Sequence, residues 1–120
     1  MATFTLSGNS IEFGDCREIG QAGPTTCTMT INGRPVVARL LWRTAICLRF
    51  HPSPLAYEDC ILAPLWRSTL FYLVRVNPLS LEVKELSEGY GFMRLLRVVD
   101  HRIEFSVRWD DSETWWLELA

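Results

Sequence analysis

At 120 residues, with 48% apolar and 22% charged side chains, the chain is long enough for one hydrophobic core and too apolar to be disordered. A net charge of −2 leaves no basic footprint, so nucleic acid is not an expected partner. No run approaches about 18 consecutive apolar residues, and Met1-Ala2-Thr3-Phe4-Thr5-Leu6 lacks the basic and apolar regions of a secretory leader, so neither a membrane span nor export is expected. A cytoplasmic protein is the expectation. Cys16, Cys27, Cys47 and Cys60 include no CxxC pair. Metal knuckles need close pairs, so the four are read as reduced thiols packed as small hydrophobes, with no metal.

In chain order, Phe4 and Leu6 alternate with Thr3 and Thr5, and Ile11 and Phe13 with Ser10 and Glu12. Gly8 between them supplies a tight turn, which predicts an N-terminal hairpin. Gly14 to Pro24 has no apolar period and reads as a loop. Asn32-Gly33 is the preferred dipeptide of a two-residue hairpin turn. It predicts pairing of Ile31 with Arg34, Met29 with Val36, Cys27 with Ala38 and Thr25 with Leu40. The Thr26, Thr28 and Thr30 face is then solvated or open to a neighbour. Leu40 to Phe50 fits either a bent strand or a helical turn. Ser53-Pro54 has the form of a helix cap, predicting one short helix over Leu55 to Leu62, stopped by Pro64.

Leu70 to Val76 is apolar almost throughout, a strand buried on both faces. Asn77-Pro78 turns the chain into the alternating Leu79, Leu81 and Val83. The C-terminal run carries the clearest period of two, with Ile103, Phe105, Val107 and Trp109 alternating with Arg102, Glu104, Ser106 and Arg108. It predicts strands at 92–99, 102–109 and 114–119. An Asp100-His101 turn pairs Val98 with Ile103, Leu96 with Phe105 and Arg97 with Glu104. That register points Arg94 at the core, which calls for a bulge near Arg94 or a place at the open end of the core, where it could face a ligand. The sum is an all-β, mainly antiparallel single domain of about eight short strands, a sandwich or partly open barrel with at most one short helix around 54–62.

No GxSxG, GxxxxGK[ST] or HExxH motif is present, and the neighbouring carboxylates Glu58-Asp59 and Asp110-Asp111 sit in turns rather than across a cleft. His101 reads as a solvated turn residue, and His51 has no spacing that demands a cysteine partner. The expectation is a non-enzyme without cofactor. Five tryptophans are more informative. Trp109 and one of Trp115 and Trp116 are expected in the core. The other is left outside by strand alternation, beside Asp110, Asp111, Glu113 and Glu118. With Trp116 as the outer ring, Asp110, Asp111, Glu113, Trp116 and Glu118 form an aromatic–acidic surface suited to another protein, and to a basic one in particular. This predicts a small binding protein that occludes its partner, of inhibitor or immunity type, for instance against a toxin or defence effector. The alternatives are a small-molecule-binding barrel, and a structural subunit that pairs through an edge strand.

Overall fold

The structure, a computed structural model, describes residues 2–20, 23–39 and 45–119. Among the described residues fourteen strands are formed: β1 (Ala2–Leu6), β2 (Asn9–Glu18), β3 (Thr25–Ile31), β4 (Arg34–Pro35), β5 (Val37–Arg39), β6 (Ala45–Cys47), β7 (Arg49–Phe50), β8 (Leu55–Tyr57), β9 (Cys60–Arg67), β10 (Leu70–Val76), β11 (Val83–Glu85), β12 (Arg94–Val99), β13 (Arg102–Ser106) and β14 (Thr114–Glu118). All pairings between them are antiparallel. The large sheet runs β1-β2-β3-β7-β9-β10-β11, with β4 on β3 and β8 on β9. A second sheet is β12-β13-β14, and β5-β6 form a separate two-stranded ribbon.

The large sheet curls so that β2 and β3 face β9 and β10. Ile11, Phe13, Met29, Ile31, Phe50, Ile61, Ala63, Leu65, Val74 and Val76 are buried between them. The opposite face of β9–β10 supplies Leu62, Phe71 and Leu73 to a second core, which the small sheet closes with Leu95, Ile103 and Phe105. The expected all-β, partly open architecture is therefore present, and β10 buries side chains on both faces as its sequence predicts, Phe71 and Leu73 on one and Val74 and Val76 on the other, with Leu70 at its start exposed.

Turn chemistry set the hairpins. Ser7-Gly8 and Asn32-Gly33 both take positive φ, as a two-residue turn of this kind requires, and Ile31 pairs with Arg34. Outside the small sheet, four expectations differ from the structure. First, Gly14 to Glu18 is strand, not loop. The apolar alternation stops there because a bulge at Asp15 and Cys16 interrupts the pairing of β2 with β3.

Second, the Asn32-Gly33 hairpin is short. Val36 N–H still bonds Met29 C=O, but Cys27 pairs with Phe50 instead of Ala38. The competitor is β7. Its Arg49 guanidinium donates to Thr26 Oγ1 at 2.9 Å and to Thr26 C=O at 2.6 Å, and also to Asp15 Oδ2 at 3.2 Å. Thr26 is thereby buried and satisfied. The predicted partner Leu40, and Trp42, lie outside the described residues.

Third, the Leu55 to Leu62 segment is not a helix but the β8–β9 hairpin, with Tyr57 opposite Cys60 and Glu58 at positive φ. Pro64 lies inside central β9, a place that normally excludes proline. It is accommodated because β7 has just ended. His51 N–H donates to Pro64 C=O at 3.0 Å, and the His51 carbonyl that would have met a Pro64 N–H accepts Ser53 N–H at 2.8 Å instead.

Fourth, Cys16 and Cys27 are joined by a disulfide across the bulge, so only Cys47 and Cys60 are free thiols. The pair is cross-strand neighbours through the bulge, a relation that spacing in the sequence does not reveal.

Candidate functional site

The C-terminal sheet carries the residues singled out by the sequence. Val98 pairs with Ile103 and Arg97 with Glu104, as expected, and Arg97 Nε lies 2.8 Å from Glu104 Oε1. A bulge between Leu95 and Arg97 then shifts the register, placing Leu95 rather than Leu96 opposite Phe105. It also turns Arg94 away from the core to an ion pair with Asp111. β13 ends at Ser106, whose hydroxyl donates to Arg108 C=O at 2.6 Å and starts the loop early.

Trp109 consequently leaves the strand. It is 82% exposed, not a core residue. Trp115 and Trp116 point to opposite faces, opposite Phe105 and Glu104 respectively. Both are exposed, at 49% and 39%, because β14 is an edge strand with little to cover it.

The acidic residues fall into two groups. Asp110, Asp111 and Glu113 share the loop with Trp109. Asp110 Oδ1 accepts Ser112 N–H at 3.1 Å, and the bonds from Ser112, with Arg108 nearby, hold its carboxyl below the usual range. Glu113 receives Arg108 Nε at 3.2 Å and Trp115 Nε1 at 3.0 Å. Trp116 and Glu118 lie on the outer face of the sheet instead. There the guanidinium carbons of Arg97 and Arg102 stand 5.4 and 4.9 Å from the Trp116 ring centroid. The five predicted residues are therefore not one surface. Most of the loop acids are neutralised by their own neighbours.

Beneath Trp109 lies an open groove of about 630 Å³. Four segments converge on it: Gly23 to Thr25, His51, Gly91-Phe92, and Val107 to Asp110 with Ser112. His51 is its most constrained member. Its ring meets Phe92 edge to face at 5.5 Å and Phe71 at 6.3 Å, and its Nδ1 lies 2.9 Å from Ser53 Oγ. Burial, reinforced by the Arg94 charge, pulls His51 down to about 4, so the imidazole is neutral at pH 7.

Ser53 Oγ also accepts Leu95 N–H at 3.2 Å, which ties it to the sheet rather than to the groove. Among the described residues no three His, Cys, Asp or Glu side chains gather as metal ligands. No described helix is long and apolar enough to cross a membrane. His101 is exposed in its turn, as expected, and its Nδ1 additionally meets Tyr57 Oη at 2.8 Å.

Sequence reasoning missed Trp109, His51 and Phe92 as neighbours. The available signal was the Asp110-Asp111-Ser112 turn run, which begins directly after Trp109 and ends its strand alternation. The chain matches no protein-family model, no curated protein and no solved structure.

Proposed function

We propose that the chain is a protein-binding module that acts by occluding its partner, in the manner of inhibitor and immunity-type proteins. The contact is centred on the 107–113 loop and the groove below it. The observation that carries this reading is Trp109, a large aromatic side chain 82% exposed at the rim of a groove. Exposed tryptophans set beside a cleft have the composition of interface hot spots.

The loop is also prepared for binding. The Asp110–Ser112, Asp111–Arg94 and Glu113–Arg108 contacts already fix its shape, which lowers the ordering cost of association. Asp110 has no ion pair among the described residues and gives a basic partner group its counter-charge. Trp116 and Glu118 are assigned a lesser part, because they face away from the groove-side loop across the sheet. A cytoplasmic setting, expected from the sequence, fits poorly with Cys16–Cys27, because reducing compartments keep thiols free; an oxidising setting suits the bridge better.

The test is capture of a partner from lysate of the natural source by tagged protein, followed by the same capture with Trp109→Ala. The variant is expected to keep its circular dichroism and melting temperature while losing the captured partner. Undiminished capture by a folded Trp109→Ala protein overturns the proposal.

The groove's volume and its mix of Thr25, His51, Phe92 and Arg108 favour a second reading, a small-molecule site. Native mass spectrometry separates the two: a bound small molecule in place of a protein partner moves the function to that reading.

A further inference from the structure

We propose that β14 is a self-association edge, through which two copies of the chain join their small sheets into one six-stranded sheet. The argument begins with the ladder. Leu119 N–H bonds His101 C=O, and Val107 N–H bonds Glu113 C=O. In this antiparallel register the hydrogen-bonded pairs are therefore those of odd-numbered residues, Ile103 with Leu117 and Phe105 with Trp115. The N–H and C=O groups of Thr114, Trp116 and Glu118 point the other way, to the open side of β14, where no described strand meets them.

Two of the other sheet ends are protected, whereas β1 (Ala2–Leu6), the remaining end of the large sheet, is open like β14 and lacks its tryptophans. β12 at the far side of the small sheet is held against β8 and β9, with Leu95 N–H donated to Ser53 Oγ. β11 at the end of the large sheet has three residues and carries Lys84 and Glu85, the short charged form that discourages pairing. β14 is neither covered nor short, and Glu118 at its end is its one charge. Thr-Trp-Trp-Leu-Glu contains no proline, no lysine and no bulge, and it presents two exposed tryptophans.

A second copy is the occupant that fits. An antiparallel two-fold pairing centred on Trp116 sets Trp116 against its equivalent and Thr114 against Glu118 of the other copy. All three outward residues then fall on hydrogen-bonded positions, as the ladder demands. Trp115 and Leu117 of opposite copies meet on the inner face. The one charged residue of the strand, Glu118, lies at opposite ends, away from its equivalent; centring on Glu118 would set the two carboxylates directly opposite each other, and centring on Leu117 would make them diagonal neighbours. Across the outer face the order is Arg97, Glu104, Trp116, then the same three reversed, so each Arg97–Glu104 ion pair flanks the tryptophan pair undisturbed. This edge and the Trp109 loop are separate surfaces, and either assignment can fail without the other.

Sedimentation equilibrium of the full chain over a micromolar-to-millimolar series tests the proposal. A monomer–dimer equilibrium is expected. Trp116→Pro removes an outward N–H and no bond within the sheet, and is expected to weaken dimerisation roughly tenfold or more. Trp115→Lys, a charge on the inner face of the edge, is expected to act in the same direction. Circular dichroism of both variants is expected to match the parent. A strictly monomeric parent overturns the proposal, as does a dimer that both folded variants retain at full strength.

Discussion

His51 carries the residue-scale consequence. In the fold its imidazole is shifted from the ordinary 6.5 to about 4 by burial, with Arg94 adding to the effect. The unfolded chain therefore binds a proton that the folded chain refuses at intermediate pH. Stability from the neutral ring is fully present above about pH 6.5 and is lost as pH falls toward 4, an effect on the order of 2 kcal/mol after allowance for the ring's residual exposure. His51→Phe keeps an aromatic ring against Phe71 and Phe92 and removes the titration. Urea denaturation at a series of pH values is expected to show a shallower acid-side decline for the variant than for the parent. Parallel curves would show that the ring is not buried as the structure has it. This role was illegible in the sequence, where His51 is one residue before a proline. Its surroundings come from Phe71, Phe92 and Arg94, some twenty to forty positions away.

At the scale of elements, the hairpin turns are where local chemistry and tertiary structure agree. Asn32 holds positive φ, its Oδ1 accepts Ser10 N–H at 2.9 Å, and its Nδ2 donates to Asn9 Oδ1 at 2.9 Å. One turn residue thus fastens the first hairpin to the second. Asn32→Ala loses both bonds and puts alanine in a left-handed conformation, so a loss of about 1–2 kcal/mol is expected in the urea midpoint. The turns at Ser7-Gly8, Asn32-Gly33 and Asp100-His101 were readable because each depends on two adjacent residues. The misread elements depend on remote competitors. Ser53-Pro54 has the form of a helix cap, but the carbonyl exchange between His51, Ser53 and Pro64 commits the segment to a sheet. The long Asn32-Gly33 hairpin lost its inner half to Arg49, whose bonds to Thr26 no period could show. Within the candidate site, the Trp115/Trp116 split between faces was readable from alternation. The exposure of both, and of Trp109, depends on where the small sheet ends.

For the whole molecule, the disulfide and the shared central hairpin set the terms of stability. Cys16–Cys27 closes a loop across β2 and β3 with a sequence separation of 11, and its reduction is expected to lower stability by roughly 3 kcal/mol. Thiol titration of the denatured chain is expected to find two reactive groups before reduction and four after. Four before reduction would return the protein to the all-thiol state expected from its sequence. The β9–β10 hairpin lies between both cores, lending Ile61, Ala63, Val74 and Val76 to one and Leu62, Phe71 and Leu73 to the other. A piece of chain ending before β12 would leave Leu62, Phe71 and Leu73 facing water, and a piece beginning there would have no wall to pack on. Neither half keeps a covered core without the other, so the two cores are expected to melt in a single transition.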